Sequence, residues 1–374
     1  MDSVSARFRL SEIFEQRPEI LMPEAGTSLV VYGAGNCGRD VLRVLQDAGY
    51  EVVAFLDTRA AADSMVGGIP SHRLESPEAS RLATAGLPVL IAVYNFTADT
   101  GMIALRLREA GFHSVLPYYA LEAKFPGTLK SRYWLETREY WAERREAIFQ
   151  GLDLWVDEES RGIYLALMEL RLTGNLQLLR NPDRAHQYFP ADLPALKEPV
   201  RMIDGGAYVG DTLAAMERYE LEAVAAFEPD QENFQALKIW VEQAVGLPKE
   251  TVLFPCGLGS QTGWQSFHSS QQAGSAMGDA GETAIQVLAL DDVLPRFQPT
   301  FIKLDIEGAE TAALNGAAQT ITSSQPRLAI CVYHRPDDLW NVPLLMRQLV
   351  PGHRLFLRYH GFNGFDAVAY AIEP

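Results

Sequence analysis

The chain has 374 residues, long enough for two domains of roughly 100–200 residues each, and 48% of them are apolar, enough for a core in each. The formal net charge is -16, which sets the surface against phosphate backbones and anionic bilayers and in favour of a neutral or cationic small substrate or a sugar. Cys37, Cys256 and Cys331 form no CxxC or Cys/His cluster, so neither a zinc site nor a disulfide framework is expected.

The opening MDSVSARFRLSEIFEQ lacks a basic stretch followed by an apolar one, and no run is long enough to span a bilayer. A cytoplasmic protein with reduced thiols is expected, with no nucleic-acid or membrane partner.

Residues 1–26 read as a short amphipathic helix and a link punctuated by Pro18 and Pro23. Alternation then begins. SLVVY (28–32) reads as a buried strand, 36–49 as a helix, 51–56 as a second strand and 89–94 as a third. A helix over 98–111 and a strand over 115–118 close a parallel, doubly wound α/β unit, residues 27–122. Residues 123–186 carry aromatic and apolar residues at helical spacing (Tyr133, Trp134, Tyr140, Trp141, Ile148, Leu152, Trp155), which predicts a helical connector. From Val200 the alternation resumes in a second doubly wound unit, residues 187–374, ending in two strands joined by a Gly/Asn-rich turn.

Two glycine loops stand out. Gly33, Gly35 and Gly38 fit GxGxxG between a strand and a helix, with Asn36 at the helix start and Asp57 one strand further on. Such a loop offers free N–H groups to a pyrophosphate, and Asp57 is placed to accept from ribose hydroxyls. A nucleotide or nucleotide-sugar ligand, a degenerate structural or regulatory fold and an NAD-dependent oxidoreductase all remain open for this unit.

The second loop runs from Asp204 through Gly205, Gly206 and Tyr208 to Gly210, Asp211 and Thr212. Its wider glycine spacing suits a ligand without a pyrophosphate, and Asp204 is expected to face a cationic amino-acid end, directly or through water. Asp211 and Thr212 are expected to cap the following helix. Glu228 ends the next strand, where a carboxylate can take two ribose hydroxyls, and the strand after that is read as ending with Pro255, Cys256, Gly257 and Leu258, expected near an adenine.

FIKLDIEGAE (301–310) delivers charges to a strand mouth. Lys303 and Asp305 alternate to one side, which predicts an ion pair or a shared hydrogen-bond network and puts Lys303 among the candidate catalytic residues. His334 ends the neighbouring strand and is the expected base, with Asp305 and Glu307 beside it; the same groups could instead hold a divalent metal. Ser269 to Glu282, polar and Gly-rich, reads as an acceptor loop or lid.

These strings, with QYF (187–189), AFEPDQENF (226–234) and LAICVYHRPDDLWNVP (328–343), resemble the FkbM family of methyltransferases, and the whole chain is similar to two-domain members. The resemblance implies a class I methyltransferase fold, S-adenosylmethionine as donor, and O-methylation of a sugar, glycan or secondary-metabolite hydroxyl. It places the cofactor loop on Asp204 to Asp211, the ribose-binding acid on Glu228 and the post-strand acidic pair on Asp305 and Glu307. A regulatory binding protein is the alternative in which the pockets persist without turnover. A homodimer through the helical segment is a further expectation.

Overall fold

The computed structural model describes residues 1–374 except 18–20, 62, 131–132, 176–178, 180, 269–275 and 278–282. Pro18 and nearly all of the polar 269–282 segment therefore lie outside the described residues.

Among the described residues the strands form three sheets. The first comprises β1 (Ser28–Tyr32), β2 (Glu51–Leu56), β3 (Met65–Val66), β4 (Ile69–His72), β5 (Val89–Ile91) and β6 (Val115–Leu116), in the order β3-β4-β2-β1-β5-β6. All pairings are parallel except β3–β4. The apolar run of β1 is buried almost throughout because helices cover both faces, as parallel sheets require. The helices Asn36–Asp47 and Thr100–Glu109 fall where the periodicity puts them; β3, β4 and the helix Pro77–Thr84 had no strong apolar period to announce them.

In the C-terminal half, β7 (Val200–Gly205), β8 (Leu221–Phe227) and β9 (Glu250–Phe254) precede a small second sheet of β10 (Gly257–Leu258), β11 (Gly263–His268), β12 (Ala276–Met277) and β13 (Thr283–Leu288). Then come β14 (Phe301–Leu304), β15 (Arg327–Cys331), β16 (Arg354–Tyr359) and β17 (Ala367–Ile372). The third sheet has the order β16-β17-β15-β14-β7-β8-β9, with β17 antiparallel to both neighbours. The second sheet was not expected. It also corrects one reading: Gly257 does not extend the strand before it but pairs with Val287 in β13, so the run from Pro255 turns away from the large sheet.

The connector is helical as predicted, over Arg138–Glu143, Arg145–Leu152 and Glu158–Thr173. Asp157 caps the last of these by accepting from Ser160 N, and Gly174 ends it in a left-handed conformation. Trp134, Trp141, Ile148, Leu152 and Trp155 are buried, whereas Tyr133 stays substantially exposed. This segment shares one continuous core with both large sheets. The N-terminal helix Ser3–Glu15 joins it, with Arg9 paired to Glu169 at 2.7 Å.

A polar latch ties the two halves directly. Asn363, in the turn between β16 and β17, donates from Nδ2 to the carbonyls of Asn95 and Ala98, both at 2.8 Å, and meets Thr100 through its other amide atom. Asn363 is buried, so these bonds replace water it has lost.

Candidate active site

The second glycine loop leaves β7 where β7 and β14 lie side by side while their following connections diverge, the switch point at which open α/β sheets bind ligands. Gly206 has φ +74, and a Cβ there would stand 1.8 Å from the Asp305 carbonyl oxygen, so no other residue lets the two strand ends pass. Gly210 also has positive φ, +96, and precedes the short helix Asp211–Ala215. The capping expected of Asp211 and Thr212 is not found: Gly210 occupies the cap position and no side chain bonds the first turn, because the left-handed glycine turns the chain directly into the helix. Asp211 is exposed and Thr212 buried.

Asp204 and Lys303 are cross-strand partners. Lys303 Nζ stands 3.0 Å from Asp204 Oδ1 and donates to the carbonyls of Gly205 at 3.1 Å and Gly206 at 2.6 Å. Burial raises the Asp204 carboxyl above its usual range, against the pull of Lys303. Burial also works against the lysine's charge, but Asp204 and then Asp305 outweigh it and keep the ammonium ionised. One expectation changes here. Lys303 pairs with Asp204, which is buried beneath the loop, rather than with Asp305, because the register sets the two β-strand residues opposite each other. Lys303 is thus a tie beneath the loop, its protons directed at Asp204 and two loop carbonyls, and not a group that reaches substrate.

Glu228 accepts from Tyr208 N through Oε2 and from Asp230 N through Oε1, both at 2.9 Å. Asp230 in turn caps the helix Gln231–Gln243. Burial pushes the Glu228 carboxyl up to about 7, although the two N–H groups favour its charge. Each oxygen keeps lone-pair capacity beyond its one backbone bond. Tyr208 holds φ +46 with its ring exposed at the loop tip. A non-glycine residue in that region is kept there by its surroundings.

The reacting end is an acidic nest around one imidazole. His334 Nε2 lies 3.2 Å from Asp305 Oδ1 and 3.7 Å from Glu307 Oε2, and Nδ1 lies 2.8 Å from Glu310 Oε1. Burial opposes charge on the ring, but Glu310, Asp305 and Glu307 together hold it protonated, well above the usual imidazole range. An imidazolium has no free lone pair, so His334 can take a proton or bind a ligand only after releasing its own. Burial also works against the charge on Asp305, but His334, Lys303 and the Tyr188 hydroxyl hold its carboxyl far below the ordinary value. Glu307 is pushed up to about 7 by burial, and it sits at φ +54.

The sequence reading missed several contributors. Tyr188 donates to Asp305 Oδ2 at 2.6 Å, and the Tyr333 hydroxyl stands 3.5 Å from Oδ1. Burial raises the carboxyls of Asp338, to about 7, and Asp366, to about 6. Only the aromatic in QYF gave any signal for Tyr188; Glu310 and Asp366 look like ordinary surface acids in the sequence. A cavity of about 290 Å³ lies past Tyr188, lined by Phe189, Arg218, Tyr219 and Arg327, toward the first residue of β15 and away from His334.

At the first glycine loop Gly33 has φ +104 and a Cβ there would meet the Ala92 carbonyl at 2.9 Å, while Gly38 packs against the Gly33 carbonyl. Gly35 and Asn36 are exposed with open space over Gly35. Asp57, however, accepts from Ala34 N at 2.8 Å and Arg59 N at 2.7 Å, so its carboxylate braces its own loop.

Residues 204–363 match the family model described as the methyltransferase FkbM domain. Residues 204–363 are thus an FkbM methyltransferase domain. The crystal structure of methyltransferase FkbM from Methylobacillus flagellatus KT has a TM-score of 0.80 to this chain at 23% identity, covering 99% of this chain and 100% of that one, which shows a common fold. Fibrillarin from Aeropyrum pernix with natively bound S-adenosyl-L-methionine has a TM-score of 0.28 at 12% identity over 49% of this chain and 70% of its own. A Rex-family repressor has a TM-score of 0.23 at 15% identity over 34% and 63%. Both fall below the likeness at which a fold is shared. No curated protein matches the chain in sequence. Among the described residues no helix is long and apolar enough to cross a membrane.

Proposed function

We propose that the FkbM domain, taken as residues 187–374, methylates a hydroxyl oxygen of a small molecule, a sugar or glycan or a secondary metabolite, in the cleft between the Gly206 loop and the His334 nest. The observation that carries this reading is Glu228: a buried carboxylate fixed by two backbone N–H groups at a strand end, with acceptor capacity left on both oxygens for a ribose diol. S-adenosylmethionine supplies a sulfonium-bound methyl group that passes in line to the acceptor oxygen while the carbon–sulfur electron pair returns to sulfur.

The chain's own residues then have three tasks. Lys303 and Gly206 fix the path of the loop that wraps the methionine end. Glu228 orients the ribose. Glu307, at the rim of the nest with about a third of its side chain exposed, takes the hydroxyl proton, since an alcohol is a weak nucleophile until a base assists it. Asp305 and His334 face the same cleft and position the acceptor.

Isothermal titration with S-adenosylmethionine tests the reading. Wild type binds, and Glu228→Ala loses at least about tenfold in affinity, about 1.4 kcal/mol. Equal binding by both would remove Glu228 from the ribose, and no binding by wild type would sink the proposal.

A further inference from the structure

The nest around His334 contains more negative charge than one imidazole can balance. Asp305, Glu307 and Glu310 all stand within 3.7 Å of the ring, and neither ring nitrogen makes an aligned hydrogen bond although both are buried. Glu310 is fully buried, and its Oε2 has no hydrogen-bond partner either. Buried polar atoms left this way are costly unless something charged sits among them.

The supporting contacts are directional. Tyr188 holds Oδ2 of Asp305, leaving Oδ1 turned toward the ring. Ile306 N holds Oε1 of Glu310, leaving Oε2 free. Asp305 is thus fixed through one oxygen with the other toward the ring, while Glu310 Oε1 is held by Ile306 N and also lies 2.8 Å from the ring, and such outer contacts orient metal ligands. Ligand atoms from Asp305, Glu310 and His334 lie within 4.8 Å of one another. An octahedral ion with bonds of about 2.1 Å keeps its donors between about 3.0 and 4.2 Å apart, so small side-chain shifts close the set.

We propose that Asp305, Glu310 and His334 bind a divalent cation beside the cofactor cleft. The cation displaces the ring proton, so His334 offers a neutral imidazole, and two carboxylates with one imidazole suit a hard, oxygen-preferring ion such as Mg²⁺ or Mn²⁺. Three protein ligands leave positions open, and Asp305, the least buried of the three, marks the side on which they face the cleft. Resting on the methyltransferase reading, the ion's role is to hold the acceptor hydroxyl and lower its pKa, with Glu307 outside the ligand set to receive the proton.

The test is a Mn²⁺ titration of the full chain, stripped with chelator beforehand, followed by the electron paramagnetic resonance signal of free Mn²⁺. One ion per chain is expected, competed by Mg²⁺. Glu310→Gln and Asp305→Asn are each expected to weaken it at least tenfold. Asp305→Asn, at the less buried ligand, covers the case in which the Glu310 variant does not fold. S-adenosylmethionine titration of the same samples reports folding and separates the two readings. Cofactor binding with no Mn²⁺ uptake, or with uptake indifferent to both substitutions, overturns the cation site and leaves the methyltransferase proposal standing.

Discussion

The two glycine loops follow the same kind of strand into the same kind of helix, yet their electrostatics are opposite. At the first, Asp57 is half-buried and satisfied by the backbone of its own loop. At the second, Asp204, Lys303, Glu228, Glu310 and His334 are all buried, and several oxygens and nitrogens among them have no aligned partner. A glycine pattern specifies a backbone path. Charge kept out of water at a cost is the better mark of a site that does chemistry.

Three substitution sets sharpen that contrast. The largest effect is expected from Lys303→Met, which strands Asp204 in the interior and should cost about 3–5 kcal/mol. Asp57→Asn at the first loop keeps one acceptor in place and should cost about 1 kcal/mol. Urea midpoints measure both, and equal losses would erase the distinction between the loops. Next, Gly206→Ala forces a methyl against the Asp305 carbonyl and should cost about 1–3 kcal/mol together with cofactor affinity. Gly35→Ala meets open space and should stay within about 0.5 kcal/mol.

The smallest expected effect is in pH dependence. The Glu228 carboxyl lies at about 7 in the folded chain against an ordinary 4.5. Its ionised form is the better acceptor for hydroxyls, so S-adenosylmethionine should bind more tightly as pH rises through about 7, and Glu228→Ala should flatten that rise. The stability sign is reversed. The folded chain holds a proton that the unfolded chain has released, so this group's contribution is fully present below 4.5 and is lost as pH climbs through about 7. A cofactor affinity that falls over that interval would mean the neutral acid is the binding form.

Much of this was legible in the sequence. Strands such as SLVVY and AVAAF are apolar on both faces, and the acids that follow such runs had to emerge at strand ends. The neighbourhood of His334 and Asp305 followed from adjacent strands. Partners fixed by register were not legible. Alternation puts Lys303 and Asp305 on one side, but only the β7–β14 alignment sets Lys303 against Asp204. Glu310 reads as a helix-start acid until its helix is seen to fold back over His334. Tyr188 and Asn363 act across 117 and more than 260 residues of sequence, separations at which local pattern carries no information.

The placement of β17 has a consequence in time. Residues 367–372 are inserted between β15 and β16, both made earlier on the ribosome. Until those residues emerge, β15 and β16 have no strand to join them, and each presents an unpaired edge to any neighbouring chain. The half built around β7, β8 and β9 has all its strands much sooner. The emerging polypeptide therefore passes through a stage with a finished cofactor cradle and an unfinished flank, and that flank is where a chaperone, or a second nascent copy, would find its handhold.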